Sequence, residues 1–166
     1  MTAQIAEKLH YQGEDMAMCT NPLGQYFSMG GFKPHFQAPS TALWRGYVGS
    51  WEIVDDRLYL VELSGTLENG TEATIEAVFP GFPDRVFAHW YSGTIRLPQG
   101  RQIKYVHMGY GSIYERDLYL DVEKGVLKKS RVRHNGSAER KDGPEGYRIG
   151  GMLVFPRDKQ TEGDAT

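Results

Sequence analysis

The stretch STALWRGYVGSWEIVDDRLYLVEL, residues 40–63, decides the fold because it joins apolar runs through a two-residue polar break. Apolar and polar side chains largely alternate on both sides of the break, which is the pattern of strands with one buried face. The break, Asp55 and Asp56, is short enough for a tight turn. The stretch therefore predicts two antiparallel strands joined as a hairpin.

Similar runs continue toward the C-terminus with short connections between them. Further strands are predicted at residues 71–79, 85–97, 101–114, 117–123 and 126–134. Turns are predicted at Asn69-Gly70, at the Pro-Gln-Gly sequence of residues 98–100 and at Lys124-Gly125. A smaller hairpin is expected at residues 8–18, and residues 147–155 are a candidate last strand. Connections this short cannot contain the helical crossovers that parallel strands need, so the sheet is expected to be antiparallel.

We expect a mainly β fold, an antiparallel up-and-down meander closed or curled into a barrel or half-barrel. Glycines within the predicted strands allow sharp bending, and closure removes unpaired edges. A two-sheet β-sandwich is the alternative. One short helix is predicted near residues 22–29, with Asn21 as its cap, Pro22 at its first position and Gly30 or Gly31 at its end. Residues 1–155 are expected to form a single β-rich domain and residues 156–166 a flexible tail.

Composition narrows the class of protein. The 166 residues are 40% hydrophobic and 24% charged, as in ordinary globular proteins. The formal net charge of −2 disfavours nucleic acid as a partner. The lone cysteine, Cys19, excludes an intrachain disulfide. No apolar window is long enough for a membrane helix, and the N-terminus lacks the pattern of a secretion signal. We expect a cytoplasmic protein with no membrane partner.

Two resemblances accompany these patterns. Gly49-Ser50-Trp51 resembles the Gly-x-Trp signature of lipocalin-like barrels, in which the tryptophan closes one end of the barrel; the match covers three residues. The runs STALWRGYVGSWEI and PQGRQIKYVHMGYGS resemble those of small uncharacterised bacterial proteins. This second resemblance implies a bacterial setting and no particular activity.

A candidate ligand cavity can be assembled from polar and aromatic residues on the predicted strands. If strand 44–54 buries Tyr47 and Trp51, alternation places Arg45 on the same face, where its charge requires a partner or a ligand anion. His89 and His107 are predicted on neighbouring strands. The candidate cavity residues are Arg45, Tyr47, Trp51, Glu52, His89, Tyr105 and His107.

The five histidines contain no closely spaced pair, so no metal site and no cofactor are expected. A basic patch is formed by Lys128, Lys129, Arg131 and Arg133 on the last long strand. Such residues could contact phosphates, but lysines on a terminal strand also prevent edge-to-edge pairing. We favour the edge-protecting interpretation.

Two functions remain open after this reading. The first is a non-enzymatic binding protein that presents an aromatic-rich sheet face to a protein partner as an inhibitor, immunity or accessory protein. The second is a small-molecule-binding β-barrel, with a hydrolase or isomerase activity in a cavity lined by Arg45, Tyr47, Trp51, His89 and His107. We favour the first because no catalytic spacing is recognisable. The oligomeric state is left open.

Overall fold

A computed structural model describes residues 2–137 and the backbone of residues 147–149 and 152–154. The fold is mainly β, as predicted, with two short helices. The strands are β1 (Glu7–Tyr11), β2 (Glu14–Met18), β3 (Tyr47–Val54), β4 (Arg57–Gly65), β5 (Val86–Phe87), β6 (Gly93–Lys104), β7 (Ile113–Glu123), β8 (Val126–His134), β9 (Tyr147–Ile149) and β10 (Met152–Val154). The helices are α1 (Pro22–Ser28) and α2 (Ile75–Val78). The tail predicted at residues 156–166 lies outside the described residues.

Three tight turns connect neighbouring strands, and two of them fall where the sequence predicts them. Both central residues have positive φ angles at Gln12-Gly13, Asp55-Asp56 and Lys124-Gly125. This backbone geometry matches the right-handed twist of the flanking strands. The first turn, Gln12-Gly13, closes the hairpin predicted at residues 8–18.

The order of the strands departs from a simple meander. The main sheet runs β2-β1-β3-β4-β8-β7-β6, with β5 beside β4. β1 pairs with β3 in parallel, so the expectation of an entirely antiparallel sheet is wrong at this one pair. The intervening chain of α1 and its loops supplies the long crossover that a parallel pair requires. β4 is followed in the sheet by β8, which pairs with it at Arg57, while the two-residue β5 pairs with Tyr59 and Leu60 of β4.

The main sheet is curled but not closed into a barrel. The backbone N–H of Cys19, just after β2, donates to the carbonyl of Arg96 in β6 at 2.9 Å. These two strands stand at opposite ends of the strand order, so the sheet bends far enough for its ends to meet. No ladder of paired residues joins them within the described residues. One curled sheet gives no support to the alternative of a two-sheet sandwich.

The predicted strand at residues 71–79 is wrong. Only α2 forms there, and its buried residues Ile75 and Val78 are three positions apart, the spacing of one helical face. The Asn69-Gly70 turn does form, with Gly70 at φ 85°, and Thr66 pairs with Glu72 across it. The segment fits both periods, since Ile75, Ala77 and Phe79 alternate as in a strand while Ile75, Val78 and Phe79 have helical spacing, so the sequence pattern could not separate them.

The Pro-Gln-Gly sequence of residues 98–100 is not a turn but lies inside β6. Pro98, Gln99 and Gly100 are buried, and Gly100 has a φ angle of 80° where the pairing with β7 shifts register. These residues therefore form a β-bulge that bends a long strand. The predicted strand at 85–97 is correspondingly divided: β5 ends at Phe87 and β6 begins at Gly93.

Helix α1 begins at Pro22 as predicted, but Asn21 does not cap it through its side chain. Instead, Asn21 Oδ1 accepts a hydrogen bond of 2.7 Å from the hydroxyl of Tyr110. The helix packs Leu23 into the main core beside Trp51 and Trp90. The last predicted strand is present as two short strands, β9 and β10, which pair with each other. No helix in the described residues is long and apolar enough to cross a bilayer.

Candidate functional site

A buried carboxylate, that of Glu7, lies at the centre of the most polar part of the core. The Glu7 side chain is 0% exposed. Its Oε2 accepts hydrogen bonds from the backbone N–H of Gly49 at 2.6 Å and from the Arg45 guanidinium at 2.8 Å. Its Oε1 accepts a third from the Trp51 indole N–H at 3.1 Å. Three donors thus compensate a charge that would otherwise be costly to bury.

The parallel pairing of β1 and β3 brings these groups together. Leu9 pairs with Trp51, which sets Glu7 beside the start of β3. Gly49 is required at this point, because a Cβ atom there would lie 2.7 Å from both Glu7 Oε1 and the Trp51 indole nitrogen. The absence of a side chain allows the carboxylate to reach the Gly49 backbone N–H. This contact accounts for the Gly-x-Trp sequence at Gly49 and Trp51 without reference to any barrel signature.

The electrostatics of this cluster follow from burial. Desolvation raises the pKa of the Glu7 carboxyl, and the Arg45 guanidinium and the Gly49 N–H oppose that rise. Desolvation also raises the pKa of Tyr47 and of Tyr110, so both phenols stay protonated. The Tyr110 hydroxyl is itself hydrogen-bonded to Asn21. The cluster is therefore a satisfied polar core, with the exception of Arg45 Nε, which is buried without a hydrogen-bond partner.

Three of the predicted cavity residues meet in this cluster. Arg45 contacts Glu7, its guanidinium lies 5.5 Å from the centroid of the Tyr47 ring, and Trp51 binds Glu7 through its indole. The prediction that Arg45 needs a partner is thus confirmed, and the partner is an internal carboxylate. Its charge is already neutralised without a ligand anion.

The remaining predicted cavity residues lie elsewhere. Glu52 is on the opposite face of β3 from Trp51, in register with His10 and Tyr59. His89 precedes β6 and His107 follows it, and both are exposed. The two histidines lie beyond opposite ends of the twelve-residue β6, so the expectation that they meet across neighbouring strands is wrong.

Tyr105 accompanies His107 rather than the Glu7 cluster. Their rings are 4.4 Å apart and nearly perpendicular in the loop between β6 and β7. That loop is held by Arg96, which donates to the carbonyls of Tyr110 and Ser112 and, through Nε, to Asp117 Oδ1 at 2.8 Å. Among the residues that the structure describes, no group of three or more His, Cys, Asp or Glu side chains is placed to hold a metal ion.

The predicted basic patch lies along β8. Lys128, Lys129, Arg131 and Arg133 are all exposed. Arg131 forms an ion pair with Asp121 on β7, and its guanidinium lies 5.1 Å from the centroid of the Tyr119 ring. β8 pairs with β4 only at Val126, so most of it is an edge within the described residues. This placement agrees with the interpretation that the basic patch prevents edge-to-edge pairing of β8.

The exposed aromatic surface is not the sheet face that the sequence predicts. Tyr114 is fully buried, and Tyr110 and Tyr119 are half-buried. The most exposed large apolar side chains lie mainly in loops beside the helices and at the sheet end. They are Met29 at 67%, Phe32 at 65%, Trp44 at 68%, Phe82 at 54% and Met108 at 62%, together with Ile113 and Val132 on strands.

Met29, Phe32 and Phe82 follow the two short helices along the chain, close in sequence to a group of packed rings at Tyr26, Phe79 and Trp90. The Tyr26 ring lies 4.7 Å from Phe79 and 5.0 Å from Trp90, measured between centroids. Gly31 lies directly against the Tyr26 ring, which places Phe32 beside it, and the Phe82 N–H donates to the Phe79 carbonyl. We call this surface the aromatic patch and define it by Met29, Phe32 and Phe82 with the half-buried rings of Tyr26, Phe27 and Phe79.

Comparisons of the chain with family models, with curated proteins and with solved structures find no match. The function is therefore argued from the geometry of the chain itself.

Sequence reasoning missed two of these features. Glu7 was overlooked, although Ile5, Glu7 and Leu9 alternate with Ala6 and Lys8 so that a strand burying Leu9 also buries Glu7. An unmatched buried Arg45 was the signal that a carboxylate was needed. The aromatic patch was overlooked because its exposed members lie in loops, where the strand pattern says nothing about exposure.

Proposed function

We propose that this chain is a non-enzymatic binding protein that contacts a protein partner through the aromatic patch. The single observation that carries the proposal is the exposure of Met29, Phe32 and Phe82, each more than half exposed, in the loops that follow α1 and α2, whose rings Tyr26 and Phe79 pack together. Large apolar side chains gathered on one surface are typical of sites that bind other proteins. An inhibitor, immunity or accessory role fits a chain to which we assign no chemical step.

The patch has the properties of a pre-formed contact surface. The half-buried rings of Tyr26 and Phe79 pack against the buried Trp90, whose indole N–H donates to the Pro22 carbonyl at 2.9 Å. A rigid base limits the entropy lost when a partner orders the exposed side chains. Lys33, whose ammonium lies 5.6 Å from the centroid of the Phe27 ring, adds a charge at the rim. Such a rim contributes specificity more than affinity.

The Glu7 cluster supports the same choice over the small-molecule alternative. Arg45 and Trp51, which were expected to line a cavity, use their side chains to bind Glu7. His89 and His107 lie at opposite ends of β6. The proposed setting is the cytoplasm of a bacterium, in keeping with the single cysteine of the chain.

Site-specific photo-crosslinking tests the proposal. A photoreactive phenylalanine analogue replaces Phe32 in one variant and Trp44 in another, and both are irradiated in the native cell. Trp44 is the matched control, since it is equally exposed but lies in the loop before β3, where its backbone N–H donates to Gln4 Oε1. We expect a discrete crosslinked protein from position 32 and none from position 44.

Crosslinking at neither position, or at Trp44 alone, would contradict the proposal. A thermal-shift screen of the purified chain with metabolites and metal ions addresses the alternative function. A ligand that binds only the folded chain raises the unfolding midpoint. A rise of several degrees in the unfolding midpoint with one metabolite, together with no crosslinked protein at either position, would favour a small-molecule-binding protein instead.

A further inference from the structure

A second surface, the edge of β8, is open to another strand. β8 pairs with β7 from Val126 to His134, with one register shift at Lys128. On its other side it pairs with β4 only where Arg57 lies opposite Val126. Among the described residues, no strand covers that side from residue 128 onward. Backbone N–H and C=O groups there can pair with an added strand.

This edge is held in a fixed conformation. The ladder with β7 constrains it on one side, and Asn135 fastens its end. The Asn135 backbone N–H donates to the Glu115 carbonyl at 2.8 Å, and its side-chain amide donates to the Tyr114 carbonyl at 3.0 Å and to Asp117 Oδ2 at 2.9 Å. A strand that is already ordered loses little entropy when a partner is added.

The side chains along the edge are strongly basic. Of the four exposed cations, Arg131 is paired with Asp121. Lys128, Lys129 and Arg133 have no carboxylate within ion-pairing distance among the described residues. The chain as a whole is slightly acidic, so this positive charge is concentrated locally rather than general.

The charge decides between possible occupants of the edge. A second copy of this chain, added through the same edge, would set cations against cations, and like charges on paired strands are destabilising. The basic side chains therefore prevent self-pairing, as the edge-protecting interpretation requires. An added strand with acidic side chains would instead gain cross-strand attraction from each of these positions.

The alternation along β8 gives the sequence pattern of that strand. Lys129, Arg131 and Arg133 share one face, where they lie opposite Asp121, Tyr119 and Asp117 of β7. On the other face Val132 is 50% exposed and lies opposite the half-buried Leu118. We infer that the free edge of β8 binds an extended segment of a partner protein in which acidic residues alternate with apolar ones. This inference is independent of the aromatic patch.

Titration with synthetic peptides tests the inference. The probe is a fluorescently labelled peptide of alternating glutamate and valine, and its binding is followed by anisotropy. A second peptide replaces every valine with proline, which keeps the charge but cannot form a strand. We expect the glutamate-valine peptide to bind at least about tenfold more tightly than the proline peptide. Its affinity should fall as salt is added, because salt screens the charges. Bound peptide should slow amide hydrogen exchange within residues 128–134 of the full chain.

Charge reversal supplies the matched variants. Lys129→Glu and Arg133→Glu should each lower the affinity for the glutamate-valine peptide by about tenfold, because attraction between the side chains becomes repulsion. Lys104→Glu reverses an equally exposed cation at the end of β6 and should leave binding unchanged. Equal binding of the valine and proline peptides, tighter binding of a single-stranded thymidine oligonucleotide, or exchange protection outside β8 would each overturn the inference.

Discussion

Arg45 and Glu7 are 38 positions apart in the chain, yet their charged groups meet at 2.8 Å inside the curled sheet. The pair joins the loop before β3 to β1 and stands where the sheet has its parallel pairing. A buried ion pair of this kind is not in itself a source of stability, because both charges lose their hydration. Its importance lies in what happens when one member is removed.

Replacing Arg45 with methionine should destabilise the fold strongly. The variant Arg45→Met leaves the Glu7 carboxylate buried without its counterion, and such losses amount to roughly 3–5 kcal/mol. Urea denaturation measures the free energy of unfolding directly. Arg133→Met is the matched control, since Arg133 is exposed on β8, and it should change that free energy by less than about 0.5 kcal/mol.

The double variant Glu7→Leu with Arg45→Met completes this test. Removing both charges together eliminates the uncompensated carboxylate, so a large part of the lost stability should return. Urea denaturation of the two single variants and the double variant gives the coupling energy between the residues. Strictly additive losses would mean that Glu7 and Arg45 act independently, contrary to the geometry.

Gly49→Ala should disturb the same cluster by steric means. The new methyl group would lie 2.7 Å from Glu7 Oε1 and from the Trp51 indole nitrogen, so the carboxylate must move away from the Gly49 N–H. Overpacking of this kind typically destabilises by about 1–3 kcal/mol. Gly24→Ala is the control, because its Cβ would have 4.0 Å of clearance inside α1. That change should be neutral or stabilise by up to about 1 kcal/mol, as measured by thermal or urea unfolding.

Arg96→Lys should loosen the loop between β6 and β7. The guanidinium of Arg96 binds Asp117 and the carbonyls of Tyr110 and Ser112 at the same time, whereas a lysine ammonium cannot reproduce that planar arrangement. Hydrogen exchange in residues 105–112 should accelerate by about tenfold or more. Arg131→Lys, which keeps a positive charge for the ion pair with Asp121, serves as the control and should leave that loop unchanged.

Tyr91 should make the fold sensitive to alkaline pH. Burial raises the pKa of Tyr91 from 10.0 to about 12. The folded state therefore holds the phenolic proton more tightly than the unfolded state does. The resulting stability is fully present below pH 10 and is lost as the pH rises toward 12. Tyr91→Phe cannot ionise, so its unfolding free energy should fall less over that interval. Urea unfolding at a series of pH values, with tyrosinate absorbance, measures the difference; parallel curves would contradict it.

Local patterns in the sequence were sufficient for the hairpins. Asp55-Asp56 and Lys124-Gly125 join strands whose alternation is clear, and both turns form as predicted. The segment around α2 was not predictable in this way. A helix of four residues is too short for its hydrophobic periodicity to be distinguished from that of a strand. The bulge at Gly100 was also hidden, since Pro-Gln-Gly has the composition of a turn.

The candidate site depended on long-range pairing that no local pattern fixes. The sequence indicated that Arg45 needs a partner, but the choice of Glu7 follows from the parallel register of β1 with β3. Glu52, by contrast, points away from Trp51 simply because neighbouring residues of β3 face opposite sides of the sheet. Register is set by the whole sheet, so the sequence could identify the residues with unusual requirements but could not bring them together.

The separation between Glu7 and Arg45 also affects synthesis on the ribosome. The hairpin of β1 and β2 is translated before β3. It carries a carboxylate whose three donors, on Arg45, Gly49 and Trp51, follow it by about forty residues. Burying Glu7 before those donors exist would leave its charge without compensation. The burial of β1 is therefore coupled to the synthesis of β3.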